Sequence, residues 1–308
     1  MTTTRHKKTK PTAGKKKKAA LADRAMLVRL QIRRWTGRRI DRKVTAQVNA
    51  AQHASDDAGT YHKALVAKTA LEQISKLTVE IRHWHYDNTL PWTDDGARLL
   101  PGAHFSEYSK KIREFTTGWE AALNDFVGAF SSYVTQSKQR LGKMFDESEY
   151  PVNGSIRERF GLEISIDPIP TAGDFRLELT DTATAKIKRE ITKRLEQAST
   201  DAMADLWKRL FDVVEKIAGR LSEPKAIFRD SLIGNASELC RLLTTLNVTD
   251  DANLEKMRQE VESKLAQRQP DDIRDDKAER RDAAKAADEI AKQMGGFMKS
   301  AKPAKGAK

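Results

Sequence analysis

A single cysteine, Cys240, occurs in 308 residues. One thiol excludes an intramolecular disulfide framework and any cysteine-based zinc cluster. Its neighbours, Leu239, Arg241, Leu242 and Leu243, mark a structural thiol near the apolar face of a helix. No apolar run reaches the roughly 18 residues that a membrane-spanning helix needs. The N-terminus is basic but lacks an apolar core, which argues against a secretory signal. A reducing cytoplasm is the default location. Also missing are a phosphate-binding glycine loop, a metal-binding histidine motif and a nucleophile elbow. The expectation is a protein without catalysis, cofactor or metal.

Acidic residues are missing from the first 22 positions, where Arg5, Lys7, Lys8, Lys10 and the run Lys15, Lys16, Lys17 and Lys18 stand. Like charges at this density have no apolar surface to bury, so residues 1–25 are expected to form a disordered basic tail. The tail reads equally as a nucleic-acid-binding arm or a solubilising segment. Eight phosphate contacts from it would give a salt slope near roughly −7. The whole chain carries a net charge of +12 and a pI near 9.6, a balance that favours polyanions.

What is abundant is helical periodicity. From His104 to Met144, Phe105, Tyr108, Ile112, Phe115, Trp119, Ala122, Phe126, Ala129 and Tyr133 recur three or four apart, which predicts one long helix. A second runs over residues 181–221, with Ile187, Ile191, Leu195, Ala198, Met203, Leu206, Leu210, Val213, Ile217 and Leu221 as its seam. It is expected to pack antiparallel on the first. Shorter helices follow from Pro224 and from Asp251. Residues 61–84 also read as helix, ending at His83, Trp84 and His85, and residues 87–103 read as a long loop. Asp94, Asp95, Arg98 and His104 are the densest mixed constellation, but nothing in their spacing carries general acid–base chemistry.

Three segments alternate instead. Val28, Leu30 and Ile32 predict a strand near residues 27–34, Leu162, Ile164 and Ile166 one near 162–167, and Phe175, Leu177 and Leu179 one near 174–179. The last two suit a hairpin that recruits the early strand, since two strands alone are rarely stable. The fold class expected is mostly α: long antiparallel, coiled-coil-like helices with a small antiparallel β-sheet and disordered basic termini. Residues 26–268 would form the helical domain, and 269–308 a charged, partly helical tail with little to bury.

After the first strand, Arg33, Arg34, Trp35, Arg38 and Arg39 gather cations around one aromatic residue, with Arg42 and Lys43 just beyond. Such a group suits phosphate contact with base stacking; equally, it suits a basic strand edge that resists edge-to-edge pairing. Arg33, Arg34, Arg38, Arg39 and Lys15 to Lys18 are the candidate phosphate contacts, and Trp35 the candidate stacking residue.

The order strand, Trp35-Thr36-Gly37-Arg38-Arg39, long helices, then Ile156-Arg157-Glu158-Arg159-Phe160 before a hairpin resembles a family of bacteriophage and integrative-element proteins classed only as a domain of unknown function. Members often neighbour genes for MoxR-type AAA+ ATPases and for proteins with a von Willebrand factor A domain. The resemblance covers about residues 26–250. It implies a mobile-element origin and an AAA+ ATPase as a possible partner, and no activity. Two functions are therefore carried forward: DNA or RNA association through basic residues with weak sequence specificity, and a helical scaffold or adaptor for an AAA+ ATPase or phage assembly. Long seams would also allow a homo-oligomer.

Overall fold

The structure is a computed structural model that describes residues 21–92, 96–152, 154–174, 180–223 and 226–300, with side chains up to residue 297. Lys15 to Lys18 and the strand expected near 174–179 (from residue 175 onward) lie outside the described residues. In chain order the elements are β1 (Ala25–Arg33), β2 (Arg38–Ile40), α1 (Arg42–Ala51), β3 (His62–Ala64), α2 (Glu72–Asp87), β4 (Leu90–Pro91), β5 (Ala97–Pro101) and α3 (Phe105–Leu141). They continue as β6 (Gly161–Asp167), α4 (Asp181–Ser222), α5 (Ser231–Leu246), α6 (Ala252–Val261), α7 (Pro270–Asp275) and α8 (Lys277–Ser300). The chain is mostly helical with a small antiparallel sheet. No helix of the described residues is long and apolar enough to cross a membrane.

The sheet separates two cores. Its order is β4-β5-β1-β6, and β1 is antiparallel to both neighbours, with Leu27 opposite Leu99 and Leu30 opposite Ile164. Alternation along β1 sends Ala25 and Leu27 to one face, with Val28, Leu30 and Ile32 on the other. The Leu27 face meets α4, α5, α6 and α8 through residues such as Leu206, Leu210, Leu243 and Ile290. The Val28 face meets α2 and α3 through Ile74, Ile81, Tyr108, Trp119 and Phe126.

This layering corrects the expected pairing of the two long helices. The α4 seam packs on α5 and α8 rather than on α3, because the sheet stands between them. The second neighbour of β1 is β5, from the segment read as a loop. Leu99 and Leu100 are buried on opposite faces, so β5 shows no alternation to read. Residues 61–67 are not helical; His62–Ala64 pairs with Arg38–Ile40, and helix begins only at Lys68 as a 3₁₀ turn. Helix α1 starts at Arg42, after the ribbon.

The C-terminal segment also differs from expectation. In α8, Ala283, Ala287, Ile290 and Met294 are fully buried against α4. The helices run antiparallel: Arg280 donates to the carbonyls of Leu221 (3.2 Å) and Glu223 (2.7 Å), while Phe297 stacks near Trp207 at 5.6 Å. Alanines let two backbones approach closely, so an alanine-rich stripe of low hydrophobicity still forms a packed seam. Cys240 is buried in the same core, and burial pushes its thiol up to about 12.

Candidate nucleic-acid interface

The chain leaves β1 through Trp35 and turns at Gly37, whose φ of +62° favours glycine. A Cβ there would stand 3.0 Å from Leu71 and 3.1 Å from Val66. The turn delivers Arg38 and Arg39 onto β2, which pairs with β3. Asp41 then caps α1, accepting from the Val44 amide at 3.0 Å. Buried Asn49 donates to the carbonyls of Asp56 (3.1 Å) and Gly59 (3.3 Å), which shapes the loop returning to β3.

Lys63 fastens this ribbon to the far end of α3. Its side chain is 6% exposed, and its ammonium reaches Glu149 at 2.8 Å, Asp41 at 3.3 Å and the Met144 carbonyl at 2.8 Å. Burial acts to lower its pKa, but hydrogen bonds and charge from Glu149 and Asp41 outweigh it, so Lys63 titrates above the ordinary lysine value. Asp41 lies below the ordinary carboxylate range, first through the Val44 amide and then through Lys63. Arg140 donates to the Ala64 carbonyl, and the Tyr150 hydroxyl to that of Leu65 at 2.7 Å.

Between the ribbon, α1 and the end of α3 lies an open groove of about 1220 Å³. Seven cations line it against four carboxylates, of which Asp41 and Glu149 are engaged by Lys63. The other six cations, Arg38, Arg39, Arg42, Lys43, Lys138 and Lys143, are exposed and form no ion pair among the described residues. This is a surface of free cations held on rigid elements, which can neutralise phosphates without a dedicated anion cage.

Arg38 and Arg39 thus meet as the sequence suggested. Arg34 lies around the corner, donating to the Ser75 hydroxyl at 2.8 Å. Trp35 is half-buried, with its ring 6.2 Å from Phe126 and 5.8 Å from Phe130. Arg33 sits away from the groove, opposite Gly161 on the sheet. Lys138 and Lys143 join from about a hundred residues later, with no local signal to announce them. Lys63, the residue that sets the geometry, gave no signal either.

A second polar centre joins the two cores and differs in kind. Arg98 and Arg209 both donate to the Thr89 carbonyl, at 3.0 and 2.9 Å, and Arg209 also to that of Asp87 at 2.6 Å, satisfying the end of α2. His85 stands 2.7 Å from the Tyr108 hydroxyl. Burial, then the charge of Arg98, pulls His85 down to about 4, and burial raises Tyr108 well above its usual range. His104 bonds Asn88 at 2.8 Å, and Thr245 at 3.3 Å. All three rings are buried, out of reach of a substrate. Asp94 and Asp95, the other members of the constellation noted around Arg98 and His104, lie outside the described residues. No group of three or more histidine, cysteine, aspartate or glutamate side chains suited to a metal occurs among the described residues. The chain matches no protein-family model, no curated protein and no solved structure.

Proposed function

We propose that the protein is non-enzymatic and associates with nucleic acid, its groove of free cations holding the phosphate backbone with little sequence specificity. The observation that carries this reading is the set of six unpaired cations around one groove. Contacts to phosphate fix position and carry no base information, so affinity should depend strongly on salt and weakly on sequence. The Lys15 to Lys18 run would add to the attraction as a flanking arm. The resemblance to bacteriophage and integrative-element proteins agrees with such a role in a mobile element.

Fluorescence anisotropy with labelled DNA and RNA tests the proposal. The full chain is compared with a chain starting at Asp23, at about 50 and about 150 mM salt, the range over which nonspecific attraction fades. The groove reading expects the shortened chain to bind at the higher salt. Binding that vanishes with the first 22 residues contradicts it.

A second reading, a helical scaffold or adaptor for an AAA+ ATPase or a phage assembly, draws on one observation. The N-terminal turns of α4 carry Ile187 and Ile191 on one face, half-buried and outside both cores. Among the described residues most other seam positions are buried within the chain, which reduces the surface that a scaffold would offer.

A further inference from the structure

A second cavity adjoins the groove and shares Arg38 with it. It is a cleft of about 520 Å³ between the 34–38 turn and the first part of α2. Among the described residues its lining contains Arg34, Arg38 and Lys68 and no carboxylate. Its apolar lining includes Trp35, Leu71 and Val79, the last 50% exposed. Phe126 and Phe130 back the Trp35 ring from the core, so the indole is held as a rigid wall rather than a mobile side chain. The Leu65 amide bonds the Gly37 carbonyl at 2.7 Å, tying the walls together.

From this geometry we infer that the cleft takes an unpaired nucleobase, and that the ligand of the neighbouring groove is single-stranded nucleic acid. The inference rests on the proposed backbone-binding role of the groove and narrows it. The apolar side chains of Leu71 and Val79 beside the Trp35 ring suit the face of a base, which every nucleotide presents. Cations at the mouth suit the flanking phosphates, and Arg34 keeps donors to spare beyond its bond to Ser75. The volume lies within the roughly 300–1,000 Å³ of small-ligand clefts. A base inside a duplex cannot enter, because it is stacked and paired. Arg38, common to both cavities, would hold the phosphate where the strand passes from groove to cleft.

The test uses the full chain with labelled oligothymidylate, a duplex of equal length and thymidine monophosphate. Val79→Glu places a carboxylate at the cleft mouth on an exposed helix position and spares the core. It should weaken single-strand binding roughly 5- to 150-fold, the range one stacked base is worth, and leave duplex binding within about twofold. Fluorescence assigned to the indole by comparison with Trp35→Phe should be quenched by the single strand and not by the duplex. Equal affinity of wild type for both strands, or equal weakening of both by Val79→Glu, overturns the inference. So does absence of single-strand binding. Competition by thymidine monophosphate as effective as by the strand overturns it in favour of a free-nucleotide pocket. Arg39→Glu with Lys143→Glu reports separately on the groove: loss of binding to both strands supports the backbone reading, and no loss removes it whatever Val79→Glu does.

Discussion

Replacing Lys63 by methionine keeps the side-chain volume and deletes one buried ammonium. Three acceptors lose their partner: Glu149 at 2.8 Å, Asp41 at 3.3 Å and the Met144 carbonyl at 2.8 Å. The carboxylate side chains are only 16% and 10% exposed, so water cannot fully replace the lost charge. Removing one member of a buried ion pair costs about 3–5 kcal/mol when the partners stay dry. Partial access here argues for about 2–4 kcal/mol. Urea unfolding at neutral pH measures it. Adding Glu149→Gln removes one stranded charge, so the double variant should recover about 1 kcal/mol of the loss expected from additivity. Asp41 is unsuitable for that cycle, because it also caps α1. The pH dependence has a definite sign. A lysine held above its unfolded value stabilises the fold fully below about 10.4 and loses that contribution as pH rises through the folded value. The variant should therefore lack the alkaline loss specific to Lys63. A cost under about 1 kcal/mol, or strict additivity with Glu149→Gln, would refute the view that Lys63 ties the ribbon to α3.

Two further predictions concern the joint between the cores. His85, pulled to about 4 in the folded chain, takes up its proton more readily when unfolded, so acidification from about 6.5 towards 4 should cost up to about 3 kcal/mol. His85→Gln should flatten that part of the stability curve, as followed by urea midpoints across the range. Arg209→Met strands the Asp87 carbonyl at the end of α2 and the Asp205 carboxylate on α4, while Arg98 still donates to Thr89, and should lower stability by about 1–3 kcal/mol; hydrogen exchange should show the loss concentrated in the last turn of α2.

The sequence reveals the long helices because their apolar residues repeat at the helical period: α3 extends for 37 residues and α4 for 42. The contact of β1 with β6 is legible from alternation at both segments. Three things are not. Strand β5 is buried on both faces and too short to show a period. The β2–β3 ribbon is built from three-residue strands, which leave no pattern, and Lys63 bonds it to the segment after α3. The α8 seam is built mostly from alanine, which composition alone does not distinguish from a solvated helix.

The candidate site follows the same division. Arg38 and Arg39 stand out locally as a basic pair beside an aromatic, and the groove contains both. Lys138 and Lys143 belong to the end of α3 and reach the groove through tertiary packing alone. Trp35 is visible as an aromatic among cations, but its backing by Phe126 and Phe130 depends on where α3 lies against the sheet.

The central claim, that free cations of the groove contact phosphates, is tested most directly by the salt dependence of binding. Anisotropy titrations of one DNA over a range of salt concentrations give a slope for wild type and for Arg39→Ala with Lys143→Ala. Each lost phosphate contact should reduce the slope by roughly 0.7 on a single strand or 0.9 on a duplex, so the double variant should be shallower by roughly 1.4 to 1.8. An unchanged slope would mean that phosphates do not lie in the groove.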